Sequence, residues 1–154
     1  MTNTIRKAIR SDAKTIAQFN AAMALETEHL QLDVSRLLLG VEGLFDNSDK
    51  GFYLVAEHNG IVVGQMMITY EWSDWRNGIF WWIQSVYVHP EHRAQKIYRT
   101  LYDYAVDLAK EQKNVCGLRL YVEKENERAH HVYEKLGITL TKYDMYEVDF
   151  VLNR

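Results

Sequence analysis

The stretch Trp81-Trp82-Ile83-Gln84-Ser85-Val86-Tyr87-Val88-His89-Pro90-Glu91-His92-Arg93-Ala94-Gln95-Lys96-Ile97-Tyr98-Arg99-Thr100-Leu101-Tyr102 decides how the chain is read. It begins inside an apolar, β-branched and aromatic run from Ile79 to Val88, the composition of a buried strand. His89-Pro90-Glu91-His92 ends that strand, because Pro90 has no N–H for a ladder and steers His89 away from helix. A helix is predicted from about Lys96, with Ile97, Leu101, Ala105 and Leu108 on one face and Arg99, Asp103, Asp107 and Lys110 largely off it. Strand, short loop and helix N-terminus together suit an anion, since the first helical turn leaves backbone N–H groups outside the helix ladder.

The charges point the same way. Arg93, Lys96 and Arg99 crowd a helix start whose dipole favours acidic residues, so an anion between them and the N–H groups is expected. The plainer alternative is a solvated basic loop, softened by Glu91.

Working outward, 154 residues suit one compact domain, 1–154, with a real core. Apolar residues make up 47% and charged residues 25%, an ordinary soluble composition. The formal net charge of −3 supplies no basic field to recruit nucleic acid. A single cysteine, Cys116, cannot form an internal disulfide, and it reads as a small buried residue rather than an activated thiolate. No signal-peptide pattern and no run of membrane-spanning length is found, so a cytoplasmic protein without membrane association is expected.

The N-terminal half reads as a short strand at Thr4 to Ile9, then a helix capped by Ser11 or Asp12 and running to about Leu25. A second helix follows Asp33 and ends near Asp46-Asn47, with Glu26, Glu28 and His29 in the connection. Phe52 to His58, Asn59-Gly60 and Ile61 to Trp72 form a hairpin pattern, with Asn-Gly supplying the positive φ angles of a type I′ turn. Gly64 marks a bulge or a close approach. A second turn, Ser73 to Gly78, leads into the Ile79 strand, so three consecutive antiparallel strands are predicted.

Beyond the long helix a strand is expected at Leu118 to Val122. Asn126 then caps a helix bearing Ala129, Val132, Tyr133 and Leu136, closed by Gly137. Ile138 to Lys142 and Met145 to Leu152 alternate as a closing strand pair with a turn at Tyr143-Asp144. The order βααβββαβαββ is an α+β, or mixed α/β, fold with a central mixed sheet and flanking helices.

Two blocks carry a family resemblance. Val86-x-Val88-x-Pro90-Glu91-His92-Arg93-Ala94-Gln95-Lys96-Ile97-Tyr98 resembles the acetyl-CoA signature of the GNAT N-acetyltransferases. In that signature a strand ends in a V-x-P-type segment, followed by Arg or Gln, two residues, Gly, one residue, and Gly or Ala. Arg93 matches, whereas Lys96 and Tyr98 replace the small residues. Leu118-x-Leu120-x-Val122-x-x-x-Asn126-x-Arg128-Ala129-x-x-x-Tyr133-Glu134-Lys135-Leu136-Gly137-Ile138 is similar to the family's next block, at the matching distance.

The resemblance implies a single GNAT-like acetyltransferase domain. It would move an acetyl group from acetyl-CoA to a primary amine of a small molecule or peptide by direct attack. It also implies that the backbones of Val86, Tyr87 and Val88 pair with the pantetheine arm, and that Arg93, Ala94, Gln95, Lys96, Ile97, Tyr98 and Arg99 cradle the pyrophosphate. A backbone N–H near Val88 would stabilise the oxyanion, Tyr133 would protonate the leaving thiolate, and Asn126 would bind cofactor or ordered water. For Lys96, a helical conformation is expected, so that crowding of the phosphates rather than backbone strain is its cost.

The general base is left open. Trp82 stands where several relatives have a glutamate and Gln84 is its neutral neighbour, with Glu71, Asp74, Glu28 and Glu123 as further candidates. Tyr70, Trp72, Trp75, Trp81 and Trp82 read as core on one face and exposed turn on the other. As a functional surface they would hold a cationic amine or make a homodimer contact. No metal is expected: His130 and His131 point about 100° apart on one helix, and His89 and His92 lack a third ligand. The rival class is a non-catalytic acyl-CoA-binding or regulatory domain of the same fold.

Overall fold

The computed structural model describes residues 3–152. Their elements in chain order are β1 (Asn3–Lys7), α1 (Ala13–Glu28), α2 (Val34–Asp46), β2 (Gly51–His58), β3 (Ile61–Ser73), β4 (Gly78–Val88), α3 (Ile97–Glu111), β5 (Val115–Arg119) and α4 (Glu127–Lys135). The strands form one sheet in the order β1-β2-β3-β4-β5. Neighbours are antiparallel except β4 and β5, which are parallel and joined through α3. The mixed α/β class expected from the sequence is the one observed. The chain divides into two compact units, one up to Leu120 and one from Tyr121 on.

Alternation along β2 explains the layering of the first unit. Leu54 and Ala56 join Met66, Ile68, Ile83 and the apolar stripe Ile97, Leu101, Ala105 and Ala109 of α3 in one core. Tyr53 and Val55 face the other way, into a core with Ala13, Ile16 and Ala17 of α1 and Val41 of α2. A strand buried on both faces needs an apolar residue at nearly every position, and β2 supplies it. The hairpin turn is as read: Asn59 and Gly60 take φ of 52° and 79°. Gly64 faces Ile97, whose Cγ2 would lie 3.1 Å from an added Cβ, next to a register slip between Ala56 and Glu57.

α1 is longer than its pattern suggested, so Glu26 and Glu28 lie in the helix and His29 ends it in the left-handed region at φ 52°. Asp12 serves a different purpose from a simple cap. Its carboxylate accepts from Arg6 Nη1 at 2.8 Å and Nη2 at 3.1 Å and from the Ile9 N–H at 2.8 Å, tying β1 to the start of α1. Arg6 also donates to Glu57 of β2 at 2.8 Å. α2 is capped as expected, with Asp33 accepting from the Ser35 N–H at 2.9 Å.

Three strand readings differ from the structure, the first being β1, which ends at Lys7 rather than Ile9. β5 spans Val115–Arg119 rather than Leu118 to Val122. Gly117 lies inside it, where a Cβ would sit 2.7 Å from the Phe80 ring, so close packing on β4 starts the strand before the Leu118-x-Leu120-x-Val122 alternation. The predicted strands at Ile138 to Lys142 and Met145 to Leu152 are absent from the described residues. Alternation specifies which side chains share a face, whereas a strand also requires a ladder to a second backbone, which local pattern does not encode.

In the second unit, the Asn126 side chain accepts from the Ala129 N–H at 3.1 Å, opening α4 as predicted. Gly137, at φ 81°, closes it. The Ile138 N–H bonds to the Tyr133 carbonyl and the Gly137 N–H to that of Glu134, both at 3.0 Å, the pattern of a Schellman cap. The stripe expected to pack is not buried: Ala129, Tyr133 and Leu136 are half-buried and Val132 is exposed.

The Arg6 guanidinium beside Asp12, with the Ile9 N–H in support, holds the Asp12 carboxyl below the usual carboxylate range. A depressed folded-state value means the stabilisation is complete at neutral pH and is lost as pH falls below about 4. Asp12→Asn should lower stability in urea unfolding by about 2 kcal/mol at pH 7 and flatten the dependence on pH in that acid range.

Candidate functional site

β4 is paired differently at its two ends. Its ladder to β5 runs from Ile79 opposite Val115 to Trp82 opposite Arg119 and stops there. Its ladder to β3 continues to Val88, opposite Gly64. From Ile83 to Val88, therefore, β4 has β3 on one side and no strand on the other among the described residues. Within this span the register to β3 shifts between Gln65 and Met67, and Ser85 stands at φ 50°, a bulge that re-aims the strand.

Polar groups converge on the bulge. Gln65 is fully buried in an otherwise apolar segment of β3, and its Nε2 donates to Asn20 Oδ1 at 2.7 Å and to the Ser85 carbonyl at 3.0 Å. Its Oε1 has no hydrogen-bond partner among the described residues. Leaving such a group unsatisfied costs about 1–3 kcal/mol. Val86 and Val88 lean on the α3 core, while Tyr87 packs on Phe19 of α1 with ring centroids 5.2 Å apart. Burial, then the charge of Glu26, pushes the Tyr87 hydroxyl upward from the usual phenol range.

The strand ends in a single turn at Pro90–His92, where His89 Nδ1 accepts from the Glu91 N–H at 3.2 Å. Arg93 folds back along β4: Nε donates to the Val88 carbonyl at 2.9 Å and Nη2 to Glu26 Oε2 at 2.9 Å. Its guanidinium also lies over the Tyr87 ring, 5.3 Å from the centroid. Ala94 and Lys96 both adopt left-handed backbone, φ 64° and 60°, before α3 begins at Ile97. Lys96 therefore does occupy the positive-φ conformation that glycine favours, contrary to the helical one expected. Its cost is backbone strain of about 1 kcal/mol, because Cβ crowds the carbonyl there.

The loop residues divide by what they offer. Ala94, Gln95 and Lys96 are exposed. The Ile97 side chain is sunk in the core, and Tyr98 stacks on Tyr102 with centroids 6.5 Å apart, so backbone is what these two present toward an anion. Arg99 is held by Asp103 at 3.2 Å on its own helix. In the second unit, Asn126 uses its side-chain oxygen on α4, and Tyr133 is half-buried on that helix.

The base candidates sort similarly. Glu71 accepts from Trp82 Nε1 at 2.9 Å and from Arg119 Nη1 at 2.7 Å. The indole N–H first, then Arg119, hold its carboxyl below the usual range, which makes it a poor proton acceptor. Gln84 donates to Thr69 Oγ1 at 2.6 Å. Trp81 is buried against Phe52, whereas Trp72 and Trp75 are exposed, as the alternation implied. Glu26, Asn20, Gln65 and Ser85 were not singled out from sequence. Gln65 alone left a signal, as the one polar residue in Val62-Val63-Gly64-Gln65-Met66-Met67-Ile68.

A free strand edge, a bulge, a left-handed turn and a helix N-terminus follow one another within Ile83 to Ile97. The family model of the GNAT acetyltransferases matches residues 17–138. The chain belongs to the GNAT family. A possible acetyltransferase from Clostridium difficile 630 superimposes with a TM-score of 0.91 at 45% identity, covering 98% of this chain and 99% of that one. The L-amino acid N-acyltransferase MnaT of Escherichia coli is 33% identical over 94 residues, 57% of this chain and 50% of the relative. The chain thus spans about half the length of the curated relatives it matches. A Clostridium acetobutylicum structure, a predicted acetyltransferase with acetyl-CoA, shares the fold at a TM-score of 0.78 and 20% identity, over 97% of each chain.

Lys96→Gly should raise unfolding free energy by about 1 kcal/mol through relief of the left-handed residue, and keep or improve coenzyme A affinity by calorimetry. A large loss of affinity would show that the lysine itself binds phosphate. Glu26→Gln should tighten coenzyme A by no more than about fivefold, the range of an exposed ion pair released from Arg93.

Proposed function

We propose that this protein is an N-acetyltransferase that moves the acetyl group of acetyl-CoA to a primary amine of a small molecule, with a peptide amine as the second acceptor class. The observation that carries the proposal is the one-sided span Ile83 to Val88, running directly into the left-handed turn at Ala94 and Lys96 and the start of α3. Such an edge accepts an amide-bearing arm as an added strand, and such a helix start accepts phosphate. The backbones of Val86, Tyr87 and Val88 would hold the pantetheine. Arg93, Ala94, Gln95, Lys96, Ile97, Tyr98 and Arg99 would hold the pyrophosphate, largely through backbone N–H groups. Arg93 would exchange Glu26 for phosphate. Acetyl-CoA would supply an acyl group already activated as a thioester.

The names of the curated relatives, an L-amino acid N-acyltransferase and an L-methionine sulfoximine/L-methionine sulfone acetyltransferase, favour an amino-acid-like acceptor. The attacking amine must be neutral, so its proton leaves to a base or a water chain. Glu71, held ionised by Trp82 and Arg119, is poorly suited to that task. A backbone N–H near Val88 stabilises the oxyanion, Tyr133 gives its phenolic proton to the departing thiolate, and Asn126 holds cofactor or ordered water. Both units serve one acetyltransferase domain in this reading. A reducing compartment such as the cytoplasm suits the lone Cys116.

The alternative, a non-catalytic acyl-CoA-binding domain, draws on Lys96 and Tyr98 at positions where the family has small residues. Calorimetric titration with acetyl-CoA, followed by a free-thiol assay over L-amino acids and peptide amines, separates the two. Thiol release with an amine supports the enzyme, and binding without release across the panel supports the alternative. Tyr133→Phe should lower turnover on the order of 10²-fold or more with little change in coenzyme A affinity. Unchanged turnover would remove Tyr133 from the mechanism.

A further inference from the structure

One face of the sheet turns polar beside the open span of β4. Trp81 and Ile83 face the α3 core, so Phe80, Trp82 and Gln84 face the other side, where Thr69, Glu71 and Arg119 are cross-strand neighbours of Phe80 and Trp82. On that side β2 packs on α1 and α2, whereas Thr69, Glu71, Trp82, Gln84 and Arg119 are only half-buried. Arg119 reaches across β4 to Glu71. Its Nη1 donates to Oε1 at 2.7 Å, and Trp82 Nε1 donates to the same oxygen at 2.9 Å. Both bonds fall on one oxygen, so Glu71 Oε2 and the Nε and Nη2 of Arg119 have no hydrogen-bond partner among the described residues. The guanidinium lies over the Phe80 ring, 3.7 Å from its centroid. Ring and indole thus orient the two charges in advance, yet the side chains stay 31% and 43% accessible for Arg119 and Glu71.

We propose that Glu71 and Arg119 form the recognition site for an α-amino acid, Glu71 taking its α-ammonium and Arg119 its α-carboxylate. An α-amino acid carries opposite charges on one carbon, so it fits beside two opposite charges that are already in contact. Glu71 has Oε2 to offer, and the Nε–Nη2 edge of Arg119 is a two-point donor that matches a carboxylate. The existing bond between them can stay, which spares either charge from being stranded when the ligand leaves. The Trp82 indole, then Arg119, hold Glu71 ionised, which disqualifies it as a base but suits it to an ammonium. The location fits an acceptor. Trp82 opposite Arg119 is the last pair of the β4–β5 ladder, and Ile83 beside it begins the open span. The fate of the bound amine rests on the acetyltransferase reading, whereas the recognition itself needs no acetyl donor.

Calorimetry of the full chain, free and saturated with coenzyme A, against each common L-amino acid reads binding without turnover. The tightest binder is then compared with the amine that lacks its carboxylate and the acid that lacks its amine. Each loss should weaken binding about tenfold, the lower range for a charge-assisted contact at a part-exposed site. Arg119→Gln should erase the advantage of the amino acid over the amine, and Glu71→Gln its advantage over the acid. Arg119→Lys, which keeps the charge without the planar fork, should restore only part of the first. The comparison of ligands on the native chain stands even where a variant fails to fold. No binding by any amino acid, equal affinity for the amino acid and the amine, or advantages that survive in folded variants would overturn the proposal. Binding with these preferences but no thiol release from acetyl-CoA would remove the acetyltransferase reading and support the site. Thiol release with carboxylate-free amines alone would support that reading and remove the site.

Discussion

The structure turns on the place where the β4–β5 ladder stops. Trp82 opposite Arg119 is the last pair, and six residues of β4 beyond it keep a partner on only one side. A backbone edge with unpaired N–H and C=O groups inside a domain is costly unless something occupies it. Here the strand bulges at Ser85, whose carbonyl accepts from the buried amide of Gln65. α3, whose apolar stripe fills the core behind β4, fixes where the strand points. Its start fixes where the turn after Pro90 must end.

Charge at that turn is poised rather than free. Arg93 is bonded to the Val88 carbonyl and to Glu26, and Arg99 to Asp103, so two of the three cations that crowd the helix start have protein partners. An incoming phosphate would compete with exposed carboxylates, a competition worth only about 1 kcal/mol in either case. The bond from Glu26 also ties the C-terminal end of α1 to the loop after Pro90, so that a ligand taking Arg93 would release a carboxylate on the helix that packs on Tyr87 of β4. Lys96 adds strain where glycine would have none, which sets the loop's conformation at the expense of stability.

Much of this was legible in the sequence, and the reasons are local. Asn59-Gly60, Asp33, Asn126 and Gly137 each specify their turn or cap through one backbone angle or one hydrogen bond, and each does so in the structure. The strand-loop-helix at Ile79 to Leu108 was legible for the same reason. What escaped depends on contacts far apart in the chain. Glu26 reaches Arg93 across 67 positions, and Asn20 reaches Gln65 across 45. At β5 the Phe80 ring packs where Gly117 has no Cβ, a contact that the Leu118-x-Leu120-x-Val122 alternation does not reveal. The last two strands were read from an alternation that is present but forms no ladder among the described residues. The left-handed angle at Lys96 was missed because a lysine seldom adopts it; only the family's glycine at that place hinted at it.

In the proposed function the open edge of β4 would receive the donor's amide-bearing arm as an added strand. Amide hydrogen exchange followed with and without acetyl-CoA tests it most directly. Acetyl-CoA should slow exchange within Ile83 to Val88 and across Ala94 to Tyr98, while β2, already paired on both sides, should be little changed. Exchange in Ile83 to Val88 that stays as fast in saturating acetyl-CoA as in its absence would contradict it.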